Sequence, residues 1–470
     1  MNKEVKESKK NIYFVGIGGI GMSALARYFL HDGRRVAGYD RTASDLTHNL
    51  EAEGATVHYE DSIEMIGEEF RDPERTIVIY TPAIPADHTE LQYFMGGGFE
   101  VVKRSQMLGV LTENKYVMAV AGTHGKSSTS TMLSWLNHEG EGQGCAVLGA
   151  ISKNFGSNLV LGEGSRVVVE ADEFDRSFLR LRPDVAVITS ADADHLDIYG
   201  THEAVREAFA QFVELIKEGG SLILKEGVEI ELRNPSIEVW RYSYAAECDF
   251  YVSRKELIGG GLYRFDIRTP DGVIEGCELG VPGWVNLENC VAAVASMWCA
   301  ARREGRSLDH DAMRRAMSSF VGLKRRLEIY HSTAESLYID DYAHHPREIE
   351  ATLSSIREML PERHVTAIFQ PHLFTRTRDL YEGFADALSL ADRVVLLPIY
   401  PAREEAIEGV TSEIIATRVR ASESVKVIDR EQIAEYLKGT KTDVVVSFGA
   451  GNIELHCDEI DAALRSKIEN

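Results

Sequence analysis

The sequence predicts an α/β chain of three domains. Three observations carry that prediction. The 470 residues are more than one hydrophobic core usually serves. Apolar, β-rich runs alternate with amphipathic stretches, the pattern of parallel strands joined by crossover helices. Two glycine loops, at residues 16–21 and 122–127, each stand between a strand pattern and a helix pattern.

The first loop lies in "NIYFVGIGGIGMSALARYFLHDGRRVAGYD", Asn11 to Asp40, which reads as strand, glycine loop, helix, strand and acid. Gly16, Gly18 and Gly21 satisfy G-x-G-x-x-G, with Gly19 inside the turn. Such a loop lets the backbone approach a pyrophosphate and points a helix N-terminus at it. Asp40 follows at about the spacing of a ribose-binding acid. Alone, this stretch reads as a nicotinamide oxidoreductase. With "TIVIYTPA" as a further strand, residues 1–108 read as a first α/β domain.

The second loop, "AGTHGKSST", opens a central domain over 109–320. Tyr116 to Ala121 have the all-apolar pattern of a buried strand, and Lys126 and Ser127 begin a helix. Gly122, Thr123, His124 and Gly125 form the turn, and Ser127 and Ser128 stand in the first helical turn. The free N–H groups there accept an anion, Lys126 adds a point charge for the β/γ-phosphates, and Ser127 can ligate Mg²⁺. The loop is shorter than the full G-x-x-x-x-G-K-[ST] pattern, because Val120 stands where the first glycine belongs. Two apolar runs then end in acids. "RVVVEADEFD" gives Glu170, Asp172, Glu173 and Asp175, and "VAVITSADADHLD" gives Asp192, Asp194, His195 and Asp197. Parallel strands bring such ends to one rim, where carboxylates can meet a phosphate-bound Mg²⁺.

Residues 221–283 change texture, with short strands, a "PDG" turn and polar alternation, and read as an antiparallel patch on the central domain. One long helical region follows over about 286–320. A third α/β unit, 321–470, has "SLYIDDYA", "HVTAIFQPH", "RVVLLPIY", "SVKVI" and "DVVVSFGAG" as strands. "GAGNI" at 449–453 reads as a structural glycine loop.

Bulk properties narrow the partners. A formal net charge of -23 repels nucleic acid and anionic membranes on average, while leaving room for a local basic pocket. The charged start "MNKEVKESKK" and the glycine-broken stretch after it do not make a signal peptide, and no run approaches a membrane span. Six cysteines without C-x-x-C or zinc spacing suit free thiols in a reducing cytoplasm. No obligate protein partner is implied. A simple dehydrogenase has no use for the second loop, whereas an ATP-driven ligation on a nucleotide-linked substrate uses both.

The ordered motifs "GIGGIGMSALA", "GTHGKSST", "EADEFDRSFL", "ADHLD", "GLKRRLE", "DDYAHHP", "QPHLFTRTRDL" and "GAGN", spanning residues 11–455, resemble the Mur ligases of peptidoglycan synthesis. The histidine of "GTHGK", the "GIGGIGMS" loop and "DDYAHHP" are most similar to the branch that adds L-alanine to UDP-N-acetylmuramate. Later-acting branches more often carry "GTNGK" and a carbamoylated lysine soon after the "DH" motif, and here no lysine intervenes between His195 and Lys217. The resemblance implies three domains: a Rossmann-like domain, 1–108, holding the UDP part, a central ATPase, and a Rossmann-like third domain, 321–470, that closes over the site. It implies an ATP-made acyl phosphate on the lactyl carboxylate of UDP-N-acetylmuramate, attacked by the amine of L-alanine.

Residue by residue, the resemblance implies that Lys126 and the loop hold the phosphoryl group, with Ser127, Glu170 and His195 as metal ligands. Arg325 and Arg326 match an arginine motif reaching the nucleotide, and Asp341 and His344 match contacts to the ATP ribose and γ-phosphate region. Tyr342 lies where the alanine-adding branch faces the amino acid or adenine, and His372 and Arg376 match the part that reaches toward the muramoyl substrate. Lys126, His195, Arg326 and His344 are thus the expected catalytic set. Asn289 is the candidate for the adenine edge, Gly16, Gly18, Gly19 and Gly21 hold the UDP pyrophosphate, and Asp40 is either a nucleoside contact or a strand-end cap. The chain departs from the family pattern at Ser127, Val285, Ser190, Asp192 and Leu373. A tripeptide-recycling Mur-type ligase on the same acceptor is the near alternative, but its first loop usually reads closer to "GICGTFM".

Overall fold

The computed structural model describes residues 10–142, 144–192, 196–402 and 404–468. Three sheets organise them, and the chain packs as two compact units. One unit runs through Arg254 and takes in Phe265–Glu278 and Glu288–Val321; the other holds Lys255–Arg264, Leu279–Leu287 and the chain from Gly322 onward.

The first sheet has strands β1 (Asn11–Val15), β2 (Arg35–Tyr39), β3 (Thr56–His58), β4 (Thr76–Tyr80) and β5 (Glu100–Lys103) in the order β3-β2-β1-β4-β5. All its pairs are parallel. The strand order reverses beside β1, and ligands of open parallel sheets bind at such a switch point. The first glycine loop leaves β1 there and enters the helix Ile20–His31. The sequence reading named β1, β2 and β4 but not β3 and β5. β3 has only three residues, and β5 is half-buried throughout with a charge at each end, so neither shows an apolar run.

The second sheet holds ten strands: β6 (Tyr116–Ala121), β7 (Cys145–Ser152), β8 (Ser157–Val160), β9 (Arg166–Glu170), β10 (Val185–Ile188), β11 (Ser221–Lys225), β12 (Glu238–Ser243), β13 (Phe250–Leu257), β14 (Tyr263–Thr269) and β15 (Gly272–Glu278). Their order is β15-β14-β13-β12-β11-β10-β6-β9-β7-β8. β6, β9 and β10 pair in parallel and are almost wholly buried, as a strand covered on both faces must be. The antiparallel patch is smaller than the sequence suggested. β11, β12 and β13 still pair in parallel, which leaves only β13, β14 and β15, in that order at the end of the sheet, for the antiparallel part. Two residues join β14 to β15, which only an antiparallel pair permits. β12 and β13 mix polar and apolar residues because the parallel sheet here runs toward its exposed end. At the other edge, β7 and β8 form an antiparallel pair that the sequence did not announce, because Gly149 interrupts the run.

The helical region after β15 is two helices, Trp284–Arg303 and His310–Ser318. Gly305 turns the chain at φ 70°, and the Asp309 side chain accepts from Ala312 N at 2.9 Å to start the second helix.

The third sheet, in the second unit, has β16 (Glu328–Ser332), β17 (Leu337–Asp341), β18 (Val365–Phe369), β19 (Arg393–Leu396), β20 (Ser424–Val427) and β21 (Val444–Phe448), ordered β16-β17-β21-β18-β19-β20. It is parallel except at the β16 edge, a half-exposed strand without an apolar run. All six cysteines are free. Among the described residues no helix is long and apolar enough to cross a membrane.

Candidate active site

The first glycine loop is held by its own strand end. Gly16 N and Ile17 N donate to Tyr39 O, and Gly16 takes φ 91°. Asp40 Oδ2 accepts from Gly18 N at 2.7 Å and Oδ1 from Thr42 N at 3.2 Å, so its carboxylate acts as a cap on the loop. Neighbouring side chains crowd two of the glycines. A Cβ on Gly18 would lie 2.9 Å from Asp40 Oδ2, and one on Gly21 only 2.4 Å from an Arg104 guanidinium nitrogen. Gly19 is the helix N-cap and has no side-chain partner for the first-turn N–H groups.

The second loop is more tightly built. Gly122, at φ 135°, passes so close to β10 that a Cβ would sit 2.1 Å from Thr189 Oγ1. Gly125, at φ 80°, caps the helix Lys126–Glu141. Thr123 Oγ1 and Ser190 Oγ are 2.9 Å apart, Ser190 Oγ accepts from His124 N at 2.8 Å, and Asp192 N donates to Thr123 Oγ1 at 3.1 Å. His124 Nε2 stands 3.5 Å from the Asp192 carboxylate. The two departures from the family pattern at Ser190 and Asp192 therefore brace the loop. Thr129 Oγ1 donates to Asn289 Oδ1 at 3.0 Å, which brings Asn289 beside Gly125. Ser128 is half-buried in the first helical turn.

Lys126 is the centre of this arrangement. Its Nζ donates to Gly122 O at 2.6 Å and lies 2.8 Å from Glu173 Oε2. Burial works against its charge, but the carboxylates of Glu173, Asp172 and Glu170 outweigh that and hold it above the ordinary lysine range. Ser127 Oγ donates to Glu170 Oε1 at 3.1 Å, and Gly149 N and Ser130 Oγ donate to Glu170 Oε2 at 3.0 and 3.3 Å. A Cβ at Gly149 would overlap the Glu170 carboxylate at 2.1 Å, so that glycine makes the space the carboxylate occupies. A hydroxyl and a carboxylate in contact beside a phosphate loop fit Mg²⁺, which takes oxygen ligands and few from protein. His195, the third expected metal ligand, lies outside the described residues. If Glu170 is a ligand, Glu170→Ala raises the Mg²⁺ concentration needed for half-maximal turnover at saturating ATP by roughly 10-fold or more. An unchanged Mg²⁺ titration moves the metal site elsewhere.

The second unit gathers the other expected residues. The Tyr342 ring is flanked by the guanidinium groups of Arg325 and Arg326, each 5.1 Å from its centroid. Arg325 is engaged within its unit. It donates to Asp340 at 3.0 Å, Glu454 at 2.8 Å and Gly449 O at 2.6 Å, and its backbone sits at φ 58°. Arg326 is freer, with Glu348 at 4.0 Å. His344 packs edge-on against Tyr342 at 5.3 Å and lies 6.2 Å from the His372 ring, which stacks on Tyr400 at 5.6 Å. Burial, helped by nearby Arg376, pushes His372 down to about 4, so it is neutral at physiological pH. Asp341 is buried and accepts from Leu327 N, Ala343 N and Thr352 Oγ1; burial nonetheless raises its carboxyl to about 6. Leu373 caps the helix Phe374–Leu388 at φ 73°, a strained position for a branched side chain. "GAGNI" closes on Gln370, whose amide meets Asn452 at 2.9 Å and Ile453 N at 3.0 Å, in keeping with a structural loop.

The structure thus brings Gly122 to Ser128, Glu170 and Asn289 together in the first unit. It brings Arg325, Arg326, Tyr342, His344, His372 and Arg376 together in the second. Sequence reasoning assigned no partner to Lys126 and passed over Gly149 and Tyr400. Glu173 stood in the acidic run but carried no role, and only its contact with Lys126 marks it.

Comparison with known proteins covers most of the chain. Three family models match: "Mur ligase family, catalytic domain" over residues 11–116, "Mur ligase middle domain" over 120–297, and "Mur ligase, glutamate ligase domain" over 325–451. The chain is similar to the UDP-N-acetylmuramate–L-alanine ligase of Phocaeicola vulgatus, at 46% identity over 97% of this chain and 99% of that protein. It is 47% identical to the ligase of the same name from Parabacteroides distasonis, over 97% of this chain and 98% of that protein. Among solved structures it resembles the UDP-N-acetylmuramate-alanine ligase of Thermotoga maritima, with a TM-score of 0.79 at 25% identity, covering 97% of this chain and 99% of the other. With three family models matched in order around two phosphate-type loops, the chain belongs to the Mur ligase family.

Proposed function

We propose that this chain joins L-alanine to the lactyl carboxylate of UDP-N-acetylmuramate, driven by ATP, in the synthesis of peptidoglycan precursors. The observation that carries the reading is the Lys126 loop at a helix N-terminus, in a chain 46% identical over nearly its full length to a ligase named for that reaction. It is an enzyme of the acid–amino-acid ligase class.

The chemistry asks for charge stabilisation more than for acid–base work. The loop N–H groups and Lys126 hold the phosphoryl group as it passes to the carboxylate, which is already an anion and needs no base. Ser127 and Glu170 hold Mg²⁺ in this reading, and the ion neutralises phosphate charge when bound. Residues 1–108 take the UDP part on the first loop, 109–320 take ATP, and 321–470 supply Arg326, Tyr342, His344, His372 and Arg376. Arg325, Asp341 and Asp40 are each held by hydrogen bonds within the fold, whereas Arg326, with Glu348 at 4.0 Å, is the cation that reaches ligand in this reading. Free cysteines throughout suit work in the cytoplasm.

The test is coupled ADP release from the purified chain with UDP-N-acetylmuramate and a panel of amines. The expected result is ADP release that needs both UDP-N-acetylmuramate and L-alanine. Release with a tripeptide but not with L-alanine would reassign the chain to the recycling branch. Saturable NAD(H) binding without ATP turnover would overturn the ligase reading altogether.

A further inference from the structure

Lys126 meets a carboxylate that the loop motif does not call for. Its ammonium has three protons. Gly122 O takes one at 2.6 Å, the Glu173 carboxylate takes another at 2.8 to 2.9 Å, and Thr123 O lies at 3.5 Å. The two carbonyls belong to the loop backbone and cannot leave it. Glu173 is the partner that a side-chain rotation can remove.

The placement of Glu173 is built rather than incidental. Its side chain is only 1% exposed, and Lys126 is 14% exposed. The turn carrying it is pinned from several sides. Tyr199 OH donates to Glu173 O at 2.6 Å, and Arg176 N donates to the same oxygen at 2.9 Å. Asp172 Oδ1 accepts from Phe174 N at 3.1 Å, and Asp172 O accepts from Phe178 N at 2.9 Å. Lys103 pairs with Asp175 at 2.8 Å and Arg104 with Asp172 at 3.1 Å, which ties the turn to the start of the helix Arg104–Leu111. Asp175 and Arg176 both sit in the left-handed region, at φ 52° and 54°. Two such residues in a row persist only where the surroundings over-determine them, and strain of this kind gathers at functional sites.

A phosphate oxygen approaching Lys126 needs the ammonium that Glu173 holds, and two anions on one ammonium repel each other strongly at this burial. We propose that Glu173 is a positioning residue for the nucleotide: it holds the Lys126 ammonium over the loop and yields it to the ATP phosphate. The inference rests on Lys126 being the phosphate-binding group. Its consequence is that Glu173 competes with the nucleotide, so each binding event displaces an internal anion.

Glu173→Gln keeps the side-chain shape and one acceptor while removing the charge. ADP is titrated into the full-length variant by calorimetry, with and without Mg²⁺. The expected result is ADP binding about 10-fold tighter in both conditions, equivalent to about 1.4 kcal/mol, with the KM for ATP falling by a similar factor. In the Lys126→Ala background the same substitution leaves ADP affinity unchanged, because the competition has lost its object. Tyr199→Phe loosens the turn without touching the loop and shifts ADP affinity the same way by a smaller factor; it carries the test should Glu173→Gln fail to fold. Unchanged or weaker ADP binding without Mg²⁺ overturns the proposal. A loss confined to Mg²⁺-containing titrations overturns it too, by making Glu173 a metal ligand. If Lys126→Ala abolishes turnover while these affinities stay put, this inference alone fails. If Lys126→Ala turns over normally, the reading of the loop fails with it.

Discussion

Lys126→Ala lowers kcat by about 10²-fold or more, the scale of removing one preorganised electrostatic group from a reacting centre. The loss falls on kcat because the charge on the transferring phosphoryl group is spread most widely in the transition state. The structure adds a second effect. Removing the ammonium leaves the Glu173 carboxylate, 1% exposed, without its cation. A buried carboxylate in that position either takes up a proton or pulls the turn open, so the variant also melts earlier than the parent. Phosphate release at saturating ATP, read beside a thermal melt, separates the two. Near-normal release from folded Lys126→Ala sinks the assignment of this lysine.

The largest stability effect belongs to Arg166, the first residue of β9 and the largest fully buried side chain of the described residues. Its guanidinium donates to Glu304 at 2.6 and 3.0 Å and to Asn137 at 3.1 Å, and pairs with Glu141. Arg306 reaches the same two glutamates, at 2.9 Å to Glu141 and 2.6 Å to Glu304. Arg166→Ala leaves a cavity and a nearly buried Glu141 served only from the surface side. Breaking a buried pair in this way costs about 3–5 kcal/mol. Chemical denaturation of the first unit, followed by intrinsic fluorescence, gives the value. Arg166→Lys recovers only part of it, because a single ammonium cannot span three partners that a planar fork reaches together. A loss below about 1 kcal/mol for Arg166→Ala would show that Arg306 carries the network alone.

Much of the fold is legible in the chain because its signals are local. β1, β6, β9, β10 and β11 are uninterrupted apolar runs, and both glycine loops carry their turn and their helix start within a few residues. The misses have the opposite character. β3, β5, β8 and β16 are short or half-exposed, and their pairing is decided by the strands beside them. The limits of the antiparallel patch could not be read, because β12 and β13 mix polar and apolar residues while still pairing in parallel.

The candidate site divides the same way. Residue types along the chain set the chemistry on offer at each position: a phosphate loop with Lys126, an acid at the end of β9, a tyrosine between arginines and histidines. Local composition suffices for that, since donor type and loop geometry are set by neighbours in the chain. Which groups meet is settled by the packed fold. Glu173 stands 47 residues from Lys126 yet shares its ammonium, Asp40 stands 22 residues from Gly18 yet caps its N–H, and Gly149 makes room for Glu170. Each of these contacts depends on strand order, which brings distant strand ends to one rim. Residue type at a single position carries no record of that order.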